Sequence, residues 1–198
     1  MLAKIYSAAV YGIDAYEVEI EVNAGRGDPK IIIVGLPDTA VKESQDRVTT
    51  AITNSGYFWP RGRTTINLAP ADIKKEGPSF DLPIALGMVA ASEEFDDPIL
   101  EQYSFVGELA LSGAVRSVRG VLPAALEARR RGKKALFVPE VNAREAAMVE
   151  GIDIYGVQNL RQTFGFVRGE TQLEPTRGDL TDFFANHQSY DVDFSDVK

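Results

Sequence analysis

The stretch Lys74-Lys75-Glu76-Gly77-Pro78-Ser79-Phe80-Asp81-Leu82-Pro83-Ile84-Ala85-Leu86-Gly87 constrains the fold more than any other part of the chain. Gly77 and Pro78 end a loop, and the residues after them predict an apolar helix from about 80 to 92. Ser79 stands at the mouth of that helix. It either caps the helix by accepting a backbone N–H bond, or acts as a nucleophile where a helix N-terminus also stabilises an oxyanion. The second role needs a base.

Composition narrows the choice of base. The chain of 198 residues has no cysteine, and its one histidine, His187, lies in a polar C-terminal stretch. Disulfides, thiolate metal sites, a zinc centre and a His-based triad are set aside on that ground. The base would have to be a lysine of lowered pKa. No apolar run approaches the ~20 residues of a membrane span, and Met1-Leu2-Ala3-Lys4 does not open a signal peptide. A soluble cytoplasmic protein with no membrane partner is expected.

Tyr16-Glu17-Val18-Glu19-Ile20-Glu21-Val22 alternates strictly and predicts a half-exposed strand, paired across Tyr11-Gly12-Ile13-Asp14 with strand 2–10. The continuous apolar run Lys30–Leu36 predicts a more buried strand. Asp38 or Thr39 is placed to cap a helix from about 40 to 54, with Val41, Val48, Ala51 and Ile52 on one face and Gly56 closing it. Strand 63–68 precedes the Ser79 loop, and 103–109 with 113–118 predict a hairpin. Helix 121–131, strand 134–138, helix 142–149, strand 152–155 and helix 158–166 follow. The fold class is α/β (α+β), a mixed sheet with helices packed on it, over residues 1–167. Residues 168–198 lack periodicity and predict a polar linker.

The net charge of −8 is uneven. Residues 170–198 carry −5, whereas 113–134 carry +6. Arg129, Arg130, Arg131, Lys133 and Lys134 either complement a helix C-terminus or contact phosphates, together with Arg116 and Arg119. Arg61 and Arg63 sit beside Phe58 and Trp59, where an aromatic ring could stack on a base. These nine residues are the nucleic-acid-binding candidates, for single-stranded or branched DNA. Glu93-Glu94 and Asp96-Asp97 fit a solvated loop better than a magnesium site, and no metal site is expected.

Lys75-Glu76-Gly77-Pro78-Ser79, then Phe105–Gly113, then Arg131–Glu140 resemble the proteolytic domain of Lon in the same order. That resemblance makes Ser79 the position of the nucleophile. Matching Gly113 to Pro139 without gaps puts Leu122 where the partner lysine would stand, and Phe80 and Asp81 replace small residues. The dyad is broken, so no catalytic residue is expected. Ile33–Ser44 and Ile66–Ala85 look like the N-terminal domain of the magnesium-chelatase-like AAA+ proteins called YifB or ComM. This resemblance implies a Lon-type domain of the ribosomal-protein-S5 domain-2-like fold, placed before an ATPase module. It also implies membership of a hexameric ring of the branch-migration helicase type. Tyr190–Lys198 resembles the lead into that module, and no GxxxxGK[ST] occurs in this chain. ATP and Mg²⁺ are therefore expected only with the module, and no cofactor here. Two alternatives stay open: a Ser79-dependent peptidase of Lon type, and a pure oligomerisation domain without DNA contact.

Overall fold

In the computed structural model, residues 1–95 and 97–178 are described. Among these residues, nine strands and five helices run in chain order. The strands are β1 (Leu2–Tyr11), β2 (Asp14–Ala24), β3 (Lys30–Val34), β4 (Arg63–Ala69), β5 (Tyr103–Phe105), β6 (Glu108–Leu109), β7 (Val115–Arg116), β8 (Ala135–Pro139) and β9 (Asp153–Val157). The helices are α1 (Thr39–Asn54), α2 (Asp81–Ser92), α3 (Val121–Arg130), α4 (Ala143–Ala146) and α5 (Leu160–Val167).

The strict alternation of β2 puts Val18, Ile20 and Val22 in the core and the glutamates between them on the other face. β1 pairs with it antiparallel, from Leu2 opposite Asn23 to Tyr11 opposite Asp14. Around this hairpin a seven-stranded mixed sheet assembles in the order β3-β4-β2-β1-β5-β8-β9. β3 lies parallel to β4, and β1, β5, β8 and β9 lie parallel to one another. β2 runs against both of its neighbours. The expected mixed α/β architecture is therefore present.

Two strand expectations need correction. Lys30–Val34 is an edge strand with half-exposed isoleucines rather than a buried one. Ile31 and Ile33 pack against the core, while no strand lies beside the outer edge. Gly35, at φ +99°, then turns the chain so tightly that a Cβ there would stand 2.1 Å from the Leu68 carbonyl oxygen. The predicted 103–118 hairpin is also shorter. Tyr103–Phe105 belongs to the main sheet, and only Glu108–Leu109 and Val115–Arg116 pair as a two-stranded ribbon.

Helices cover both faces. α2 is buried almost all round, from Asp81 to Ala91, and shares a core with Ile5, Ile20, Val22, Phe105 and Phe137. α1 and α5 extend that core through Val48, Ile52, Leu160 and Phe164. On the other face α3 and α4 pack Val121, Ala125 and Ala146 against Ala8, Leu136, Val138 and Ile154. Leu173 packs on the first core, and the Thr176 N–H donates to the Ile154 carbonyl at 2.7 Å, so the start of the predicted linker lies along β9. The rest of it, including His187 and Tyr190–Lys198, is outside the described residues. Among the described residues no helix is long and apolar enough to cross a membrane.

Candidate functional site

The pairings above bring the starts of β1, β3, β4, β5 and β8 to one end of the sheet and their ends to the other. Asp38 follows β3 and Glu108 follows β5, so both emerge at the carboxyl ends, where parallel sheets leave crevices. A cleft of about 700 Å³ opens there, lined by Asp38, Glu76, Gly77, Pro78, Ser79, Glu108, Ser117, Val118 and Arg119.

Ser79 does not cap α2, contrary to the sequence-based expectation. Pro78–Phe80 forms a 3₁₀ turn, Phe80 precedes the helix, and no side chain caps either element. Pro78 at the first position presets that tighter turn and shifts the α-helix start to Asp81. The Ser79 carbonyl accepts from the Gly107 N–H at 2.9 Å, and the Gly107 carbonyl accepts from the Leu82 N–H at 3.0 Å. The serine is thus laced to the segment between β5 and β6, half-exposed on the cleft wall.

Asp38 is the N-cap of α1, as expected. One carboxylate oxygen accepts from the Val41 N–H at 2.8 Å and the other from the Gly77 N–H at 3.1 Å. The same residue therefore starts α1 and pins the Gly-Pro-Ser turn. The other cleft carboxylates are also engaged: Glu76 with Lys74 at 2.6 Å and Glu108 with Arg116 at 3.6 Å. Among the described residues, no lysine or histidine lines the cleft. Leu122, in the first turn of α3, packs against the Val106 and Val138 cluster.

Lys75 is fully buried, and its ammonium donates to the Pro70 carbonyl. Burial holds it below the ordinary lysine value, with Asp72 pulling the other way. Its backbone bridges to Leu36 and Asp38, so this side chain fills the floor of the loop. Behind Ser79, the Asp81 carboxylate is wholly buried. Arg47 grips it at both oxygens, and the Leu109 N–H donates to it at 3.2 Å. Burial pushes the Asp81 carboxyl up, against the guanidinium and the N–H that hold it down. The sequence flagged Asp81 as unusual, but nothing in it pointed to Arg47.

Residues 20–142 match the family described as subunit ChlI of Mg-chelatase. This chain belongs to that family. It is 46% identical over 172 residues to the competence protein ComM of Haemophilus influenzae, covering 87% of this chain and 34% of ComM. The uncharacterized protein YifB of Escherichia coli is 41% identical over 192 residues, covering 96% and 38%. Lon protease 2 of Bacillus subtilis is 26% identical over 187 residues, covering 84% and 33%. The chain spans about a third of the length of these curated relatives.

In this ChlI-family chain the nine basic candidates fall into separate groups. Arg116 and Arg119 lie at the cleft end of the sheet. Arg61 and Arg63 precede or start β4 at the opposite end, and Lys133 and Lys134 precede β8 at that same end. Four strand spacings, about 19 Å, separate β4 from β8. The α3 end is largely self-neutralised. Arg130 and Arg131 both bind the buried Glu127, at 2.6 and 2.9 Å. Burial pushes Glu127 up, but these bonds and the Glu17 N–H outweigh it and hold the carboxyl below its ordinary value. Lys133 stacks over the Tyr6 ring and meets Glu17 at 3.3 Å, and Arg129 donates to the Glu150 carbonyl at 3.1 Å.

Proposed function

We propose that this chain is a non-catalytic, Lon-like domain of a magnesium-chelatase-like AAA+ ATPase of the competence and branch-migration helicase type. Its role is assembly of a hexameric ring together with contact to single-stranded or branched DNA. ATP hydrolysis, with Mg²⁺, belongs to a module outside this chain. The mixed sheet with helices on both faces is compatible with the S5 domain-2-like arrangement this implies.

The observation that carries the non-catalytic role is the company Ser79 keeps. Among the described residues its cleft offers no lysine or histidine, and each lining carboxylate is engaged: Asp38 by two backbone N–H groups, Glu76 by Lys74, Glu108 by Arg116. A hydroxyl without a free base is a weak nucleophile. Incubation with unfolded casein tests this: the casein stays intact, whereas cleavage lost in Ser79→Ala would establish the Lon-type peptidase instead.

The second reading, a pure oligomerisation domain, is favoured by the pairing of Arg130, Arg131 and Lys133 with Glu127 and Glu17, which weakens the α3 end as a phosphate site. Sedimentation of the whole protein with and without residues 1–167 tests ring assembly under either reading. Loss of the hexamer on deletion is expected, and an intact hexamer would contradict it.

A further inference from the structure

We infer that the surface around Tyr57-Phe58-Trp59, with Arg61 and Arg161, is a stacking site for single-stranded nucleic acid. This rests on the DNA-contact part of the proposed function and places that contact away from the α3 end. A cleft of about 380 Å³ is lined by Thr53, Gly56, Tyr57, Phe58, Trp59 and Arg61. Phe58 is 66% exposed although it is large and apolar, and the Arg61 guanidinium sits 6.0 Å from its ring centroid. Trp59 and Tyr57 are half-buried against the core, with Tyr57 held edge-on to Phe164 at 5.4 Å. One ring is therefore presented to solvent by two that are anchored.

A second cation arrives from α5. Gly56, at φ +84°, lies beside Arg161: a Cβ there would stand 3.3 Å from the guanidinium nitrogen. Among the described residues neither Arg61 nor Arg161 has a carboxylate within 4.0 Å, in a chain of net charge −8. Glu93 and Glu170, the acids whose charge bears on Tyr57, are both met by Arg168, at 4.0 and 2.9 Å. An exposed aromatic ring with one guanidinium beside it and a second beside neighbouring Gly56, neither paired among the described residues, suits a chain of bases on phosphates: bases stack on the ring and the cations follow the backbone.

Trp59 is the only tryptophan, so its fluorescence reports on this site directly. The experiment titrates a fluorescein-labelled 20-nucleotide single-stranded DNA at low salt, following both anisotropy and Trp59 emission. The inference predicts binding that quenches Trp59 and falls steeply with salt. Phe58→Ala should weaken it about ten-fold, and Arg61→Gln with Arg161→Gln should lower the salt dependence, while Arg130→Gln with Arg131→Gln changes neither. Binding that is insensitive to Phe58, Arg61 and Arg161 would overturn the placement and leave DNA contact standing elsewhere. No binding would overturn both, and equal binding to polyglutamate would overturn base stacking. None of these outcomes bears on Ser79. Circular dichroism of each variant separates lost binding from lost fold.

Discussion

Arg47 reaches from α1 to hold both carboxylate oxygens of Asp81 at the start of α2, with its Nε 2.9 Å from Oδ2 and an Nη 3.1 Å from Oδ1. The Asp81 side chain has no solvent exposure, and the Leu109 N–H supplies its third bond. Removing Arg47 leaves a buried carboxylate with a single donor. Arg47→Ala should therefore lower stability by about 3 kcal/mol in urea unfolding. Arg47→Met with Asp81→Leu should recover most of that loss. A single variant within 0.5 kcal/mol of the parent, a difference typical of about any surface substitution, would contradict the account.

Asp38 joins two structures through one carboxylate, the N-cap of α1 and the Gly77 N–H of the Ser79 turn. Asp38→Ala should cost about 1–2 kcal/mol, more than Asp38→Asn, which keeps an acceptor for the cap. Thermal unfolding of the three proteins checks that order.

Glu127 sets an acid limb to the stability curve. Its folded value is held below the ordinary 4.5, so its contribution is complete above that pH and is lost as the pH falls through the folded value. Glu127→Gln should be less stable than the parent at neutral pH, and the two should converge in acid. Parallel curves from pH 7 down to the acid transition would refute this.

Lys75 has the same sense in the alkaline range. Burial lowers its folded value below 10.5, so the unfolded chain binds the extra proton and stability rises with pH between the two values. Lys75→Met should flatten that alkaline rise while remaining folded at neutral pH. Urea midpoints between pH 7 and 10 measure it.

Local chemistry made much of the fold legible in advance. The β2 alternation and the Asp38 cap each express a rule that spans only a few residues, and both elements stand where expected. Errors arose where two local rules compete or where partners are distant. A serine before an apolar run resembles an N-cap, but Pro78 favours a 3₁₀ turn first. An apolar run does not say whether a strand will have neighbours on both sides, and β3 has one. At the Ser79 site, the Gly-Pro-Ser turn was visible, while Arg47 meeting Asp81 was not, because α1 and α2 meet only in the folded core. Arg161 beside Gly56 escaped for the same reason.

The central claim is that Ser79 keeps a nucleophile's position without a nucleophile's activation. Intact-mass measurement after exposure to a serine-reactive fluorophosphonate tests it most directly. The account predicts an unmodified chain, identical in behaviour to Ser79→Ala. A stoichiometric adduct on the parent that disappears in Ser79→Ala would contradict it.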